Sequence, residues 1–348
     1  MRLTTLSGGE TLHHYKKALV LSFPSPRLVC STSPTNGGIR NNLTAVFNHD
    51  GNPGPGCQFE LKADTYEEHL NVVAKELGLD PAHTTGLCTA ASMDNVAICH
   101  ESFKELTVST IVTGGVKRNA ARIGDPACYE QLGTINILLY ISANLPEGVL
   151  ERALVSCTEA KVAALQELLA PSRYSSGLAT GSGTDGVIII CNPSSPLRIT
   201  DAGSHGKLGE LIGKVVKRAI KEALDKQSGL NPNYQFDIFN RMDRFGVTPD
   251  TMWELYQKID GEHSLSRMLF EDLLDSKKRQ NQAVVYSSLY AHLIDQLNWG
   301  LISSTDAWET GKVILGQAFE TTVEVMENNS LIETYKKIFL EWLKCDIP

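Results

Sequence analysis

Apolar residues fall into short, dense stretches over the first two thirds of the chain and then into threes and fours. Seven stretches rich in Val, Ile and Thr, at 18–23, 27–31, 85–90, 96–99, 107–113, 134–141 and 187–191, predict strands. Two long stretches keep helical spacing instead. In 146–169, Leu150, Leu154, Cys157, Lys161, Leu165 and Leu168 recur behind Pro146, a residue suited to a first helical position. In 207–226, Leu208, Leu211, Ile212, Val215, Val216, Ile220 and Leu224 do the same. A shorter helix is predicted at 65–77, ahead of a turn at 78–81. From 230 onward every periodic segment is helical: 235–245, 249–259, 265–298, 306–326 and 331–343. Thr305 and Asp306 are candidate caps for one of these helices, and Pro249 after Thr248 opens another. Strands that follow one another before the first long helix predict an α+β fold. Its sheet is mixed or antiparallel and packed with long helices, and a C-terminal all-α domain follows.

Composition changes near Gly229-Leu230-Asn231-Pro232-Asn233. Trp253, Trp299, Trp308 and Trp342 all lie beyond it, with only five of the 28 glycines. That part holds 11 Lys/Arg against 18 Asp/Glu, and so seven of the eight net negative charges. The break predicts domains at 1–229 and 230–348. A chain of 348 residues can bury a sizeable core, and 42% hydrophobic with 21% charged residues is the balance of a globular protein. The net charge of −8 argues against a broad nucleic-acid surface. No apolar run has the length of a membrane span, and the first residues lack the apolar core of a signal peptide. The expected location is cytoplasmic. Eight cysteines without a C-x-x-C pair are expected to be reduced, mostly buried thiols. No His or Cys spacing implies a metal.

Four polar clusters can carry chemistry. Ala179-Thr180-Gly181-Ser182-Gly183-Thr184-Asp185-Gly186 sets hydroxyls and a carboxylate among glycines at the start of an apolar strand. Asn36-Gly37-Gly38-Ile39-Arg40 leaves a strand and reads as a hairpin turn or as amides facing a ligand. Thr113-Gly114-Gly115 leads to Asn119, Arg122 and Asp125, where Arg122 can fork onto an oxygen-bearing ligand or pair with Asp125. Its glycines match neither the Walker nor the dinucleotide spacing. In the fourth cluster Ser204 is a candidate helix cap, and His205 would sit at the positive helix end ahead of Lys207. Two further residues belong to the first long helix. Glu159 and Lys161 are two apart and so point to different faces. Lys161 falls on the apolar stripe, where a buried ammonium needs a carboxylate, and Asp185 is a candidate.

Six segments in order carry a resemblance. They are Asn36-Gly37-Gly38-Ile39-Arg40; Thr113-Gly114-Gly115 with Asn119-Ala120-Ala121-Arg122-Ile123-Gly124-Asp125; Gly133-Thr134-Ile135-Asn136-Ile137; Thr158-Glu159-Ala160-Lys161; the octet ending at Gly186; and His205-Gly206-Lys207-Leu208-Gly209-Glu210-Leu211-Ile212-Gly213. With them the chain resembles the adenosylcobinamide amidohydrolases of corrinoid salvage. The likeness covers most of 10–226 and leaves out everything beyond 230. Gly186 stands where alanine is expected.

The resemblance implies hydrolysis of the secondary amide between a corrin-ring propionate and aminopropanol, giving adenosylcobyric acid. The corrinoid, with its cobalt, is the substrate; no cofactor and no protein-bound metal is implied. His205, Asp185, Glu159 and Lys161 are the catalytic candidates. Asp185 or Glu159 would activate water and His205 would protonate the departing nitrogen, with a Thr180 or Thr184 nucleophile as the rival. Asn36, Gly37, Gly38, Arg40, Thr113, Asn119, Arg122, Asp125, Asn136, Thr180, Thr184 and Lys207 are the candidate substrate contacts. Two other readings stand beside this one. One is a corrinoid carrier or sensor whose helical domain docks a partner. The other is a phosphate-binding transferase using Gly114, Gly115 and the helix start at Lys207. The expected partner is a small-molecule corrinoid, with neither nucleic acid nor a membrane span; self-association is left open.

Overall fold

Described in the computed structural model are residues 1–54, 60–126, 133–259, 265–323 and 330–345; Cys57 and Cys128 lie outside them. The strands are β1 (Arg2–Thr5), β2 (Thr11–Tyr15), β3 (Ala18–Ser31), β4 (Gly38–Asp50), β5 (Thr84–Thr89), β6 (Ala97–Phe103), β7 (Leu106–Gly115), β8 (Ala120–Ala121), β9 (Thr134–Ile141), β10 (Gly181–Ser182) and β11 (Gly186–Cys191). Nine of them form one mixed sheet in the order β1-β2-β3-β11-β9-β7-β6, with β4 joining β3 to β5. The pairs β11–β9 and β4–β5 are parallel and the others antiparallel. The fold is therefore α+β, as the order of strands and helices predicts.

Pro24 and Pro26 shape the longest strand. Neither has a backbone N–H to give a ladder. The stretches predicted at 18–23 and 27–31 are one strand whose register against β4 shifts between Ser22 and Arg27. Before the shift β3 pairs with β2, and after it with β11. Buried there, Arg27 is held by Glu10, whose carboxylate lies 2.7 Å from the guanidinium.

Strands β9 and β11 are buried along their whole length, which explains their unbroken apolar runs. On one face Leu138, Tyr140, Ile188 and Ile190 pack with Leu12, Leu21, Val29 and Val46. The sheet also carries three helices, α1 (Tyr66–Glu76), α2 (Glu147–Glu167) and α3 (Lys207–Ser228). Helix α1 starts on a capping box, Thr65 with Glu68. Leu70, Val73 and Ala74 of α1 pack with Phe47 of β4. Helix α3 buries Leu208, Leu211, Ile212, Val215, Val216, Ile220 and Leu224, the predicted stripe. Its N-cap is Gly206, not Ser204, and no side chain caps it.

The contacts divide the chain into Met1–Tyr174 with Leu178–Asn231, and Ser175–Gly177 with Pro232–Pro348. The second unit holds α4 (Pro232–Gln235), α5 (Ile238–Met242), α6 (Pro249–Ile259), α7 (Arg267–Lys277), α8 (Asn281–Asn298), α9 (Ser304–Phe319) and α10 (Leu331–Lys344). Most of its aromatics are core, with Phe319, Tyr335, Phe339 and Trp342 clustered at ring separations of 5.1–6.2 Å, whereas Trp299 is exposed. The helix predicted at 265–298 is two, α7 and α8, parted at Lys278–Gln280. Ser303, rather than Thr305 or Asp306, caps α9, accepting from the backbone N–H of Asp306 at 3.1 Å. No helix among the described residues is long and apolar enough to cross a membrane.

Candidate functional site

The octet predicted as a site forms β10 and the loop that enters β11. Its Asp185 is a hub. Oδ1 accepts from the Ile135 backbone N–H (2.9 Å) and from Ser182 Oγ (2.6 Å). Oδ2 accepts from the Ser182 backbone N–H (3.1 Å) and from Lys161 Nζ. The ammonium and the carboxylate are only 10% and 8% exposed, so this is a buried ion pair. Lys161 thus finds the partner that its place on the apolar stripe requires. Gly181 leaves room for the pair: a Cβ there would lie 2.8 Å from Lys161 Nζ and closer still to Asp185 Oδ2. Cys157, one turn before Lys161, is an inert neighbour, because burial pushes its thiol up to about 12.

A second centre is the carbonyl of Gly133. It accepts from Asn119 Nδ2 (2.5 Å) and Thr184 Oγ1 (2.9 Å), and Ser182 Oγ, whose one proton can go either here or to Asp185, stands 3.2 Å away. Thr134 Oγ1 lies 2.6 Å from Thr184 Oγ1. If Thr184 gives its proton to Gly133, it accepts one from Thr134 and keeps a lone pair outward. Buried Asn119 Oδ1 has no hydrogen-bond partner among the described residues. Asn119, Thr134, Lys161, Ser182, Thr184 and Asp185 therefore share one hydrogen-bonded patch, assembled from α2, β9, β10 and two loops.

The other candidates are distributed around the fold. Thr180 and Arg122 flank the patch at the small sheet of β8 and β10: Thr180 Oγ1 accepts from Ile123 N–H (2.9 Å), and the Arg122 guanidinium donates to Leu178 O (3.1 Å). Asp125 accepts from Arg122 N–H and Ser172 Oγ. Thr113 and Asn136 are buried braces. Asn136 Nδ2 donates to Asn48 Oδ1 (2.8 Å) and Cys88 O (3.1 Å), its Oδ1 accepts from Gly186 N–H (3.1 Å), and Asn48 Nδ2 donates to Thr113 Oγ1 (2.7 Å). Asn36 and Gly37 lie in the β3–β4 connection and Gly38 opens β4, with Asn36 Nδ2 donating to Pro81 O and Thr84 O at 2.7 Å each, while Arg40 is exposed on β4.

Glu159 and His205 do not join the patch. The Glu159 side chain is 57% exposed and lies 3.7 Å from Arg152 on its own helix. His205 is exposed and makes no hydrogen bond or ion pair among the described residues; its loop meets α2 where Ser156 Oγ donates to Ala202 O (2.7 Å). Lys207 pairs with Glu210, its ammonium 4.8 Å from the centre of the Phe103 ring.

Sequence reasoning held Ser182 only as one hydroxyl of the octet and passed over Thr134 and Asn48. Thr134 lies inside a matching segment, and its hydroxyl was the signal. Asn48, within a strand that the sequence does not predict, carries none.

A family model described as adenosylcobinamide amidohydrolase matches residues 3–232, about two thirds of the chain. The chain belongs to the adenosylcobinamide amidohydrolase family. An uncharacterized protein of Methanocaldococcus jannaschii is 35% identical over 231 residues, 61% of this chain and 87% of that one. An adenosylcobinamide amidohydrolase of Methanosarcina mazei is 31% identical over 167 residues, 46% of this chain and 74% of that one. Among solved structures, a Burkholderia β-aminopeptidase aligns at a TM-score of 0.33 and 12% identity, over 65% of this chain and 82% of that one, a likeness too slight to carry an argument. A Cβ at Gly186 would lie 2.6 Å from Leu87 Cδ2 and 2.8 Å from Asn136 Oδ1, so the strand start has room for glycine alone.

Proposed function

We propose that the chain hydrolyses the amide linking aminopropanol to the corrin ring of adenosylcobinamide, releasing adenosylcobyric acid. Membership of the family supports the reaction, and the buried Lys161–Asp185 pair beside a cluster of hydroxyls carries it. Burying two charges is costly, and such pairs recur where chemistry needs them.

Amide hydrolysis needs a nucleophile, donors for the oxygen that gains charge, and a proton for the leaving nitrogen. Lys161 takes the oxygen, since an ammonium in a nearly dry setting stabilises charge there strongly. Drawing Lys161 onto the substrate frees Asp185 Oδ2 to accept a proton from the attacking water. Ser182 and Thr184 position that water. Carbon–nitrogen cleavage then needs one proton on nitrogen, and Asp185 returns the one it took from the water. His205 and Glu159, both exposed and outside the patch, are given no role in this scheme.

The test is incubation with adenosylcobinamide and separation of the products. Adenosylcobyric acid and free aminopropanol are expected. Tight corrinoid binding without release of aminopropanol would favour a carrier instead. Asp185→Asn is expected to lower kcat by about 10²–10⁴-fold, and His205→Ala and Glu159→Gln much less. A near wild-type rate in Asp185→Asn would remove this assignment of roles.

A further inference from the structure

His49 and Cys88 face each other across the parallel pair β4–β5, in direct register. His49 Nδ1 lies 3.8 Å from Cys88 Sγ. Helix α1 packs over both strands and brings down His69, which is 1% exposed. One ligand atom from each of the three side chains lies within 4.8 Å of the others. From these observations we infer that His49, His69 and Cys88 form a binding site for a single zinc-class divalent cation, with one coordination position left to solvent or a small ligand.

The donor set points to that class. Two imidazoles and a thiolate suit a borderline-soft first-row ion and disfavour magnesium or calcium, which take oxygen. Ordinary zinc–nitrogen and zinc–sulfur bond lengths in a tetrahedron place nitrogen and sulfur about 3.6 Å apart. The His49–Cys88 separation is already close to that. Three protein ligands leave the fourth position open, as in sites that exchange their ligand. A cysteine ligates such an ion as its thiolate, so binding releases the thiol proton to solvent.

The surroundings are built rather than accidental. The Tyr66 ring stacks on His69 with centroids 6.1 Å apart and planes 12° apart, and Tyr66 Oη accepts from the Cys88 backbone N–H at 3.3 Å. The Cys88 carbonyl accepts from Asn136, so the strand is fixed on the other side too. One bond opposes the ion. Lys62 N–H donates to His69 Nδ1 at 3.1 Å. The ion either displaces that donor or takes Nε2 once the ring proton has moved to Nδ1, and both routes break the Lys62 bond. The site stands apart from the amidohydrolase reading, because none of its three side chains belongs to the Asp185 patch.

The test uses the full chain, purified without corrinoid and stripped with a chelator. It is titrated with zinc(II) and separately with cobalt(II), and bound metal is counted after desalting. One equivalent per chain is expected, with a thiolate-to-cobalt charge-transfer band in the near ultraviolet. Cys88→Ser should abolish the band, and His49→Gln and His69→Gln should each weaken binding at least about tenfold. Absence of stoichiometric metal and of the band from the wild-type chain would overturn the proposal without recourse to any variant. So would binding that all three variants leave unchanged. Far-ultraviolet circular dichroism on each variant separates loss of the ligand from loss of the fold.

Discussion

Lys161 meets Asp185 as a buried ion pair, and Asp185 in turn organises Ser182 and the start of β11. Removing one partner strands the other. Lys161→Met is expected to destabilise the fold by about 3–5 kcal/mol, while Lys161→Met with Asp185→Leu recovers much of that loss. Urea unfolding of both variants measures it, and a single variant as stable as wild type would show that the pair contributes nothing to the fold. At Gly186 the expectation rests on shape. Gly186→Ala presses a methyl against Leu87 and Asn136, at about 1–3 kcal/mol. Adding Leu87→Ala should relieve part of the strain, a coupling that a double-mutant cycle reads directly. At this scale much was legible. A lysine on an apolar stripe demands a carboxylate, and the glycine-rich octet offered one. The sharing of Gly133 O by Asn119 and Thr184 was not legible, since a backbone carbonyl leaves no mark in the sequence.

Helices α2 and α3 are tied by Glu167, which accepts from Lys217 Nζ (2.9 Å) and Lys221 Nζ (2.5 Å). Hydrogen bonds from Lys221 and then Lys217 hold the Glu167 carboxyl below its ordinary 4.5. The unfolded chain then binds the proton more readily than the folded one. The stabilisation is complete above about pH 4.5 and is lost as pH falls through the folded value. Because the group is largely exposed, each pair is worth only about 0.2–1 kcal/mol. Glu167→Gln should lower the thermal midpoint slightly at pH 7 and flatten its fall between about pH 5 and 3. Equal acid slopes for wild type and variant would contradict this. Most elements were readable from their stripes, and the exceptions have causes. Strand β4 was missed because Asn41, Asn42, Asn48, His49 and Asp50 dilute its apolar residues. Helices α7 and α8 merged into one because Lys278, Arg279 and Gln280 break no periodicity, although the chain turns there.

For the molecule as a whole, the family match ends at residue 232 and the first compact unit at Asn231, so the two boundaries nearly coincide. What the sequence hid at this scale is convergence. His49, His69 and Cys88 come from a strand, a helix and another strand, at spacings that match no metal motif. The second unit has its own buried ion pair, in which both Arg244 nitrogens reach the Asp295 carboxylate and the side chains are 7% and 9% exposed. The Arg244 guanidinium also lies 4.3 Å from the centre of the Phe245 ring. Asp295→Ala leaves that cation buried without its carboxylate, at about 3–5 kcal/mol. If the two units unfold as separate cooperative blocks, calorimetry should show one transition moving down while the other stays. Turnover of adenosylcobinamide below that transition should be unchanged, since Asp295 lies outside the family match. A parallel loss of turnover and of both transitions would mean that the helical unit takes part in the chemistry, and the substrate's requirements would have to be sought there as well.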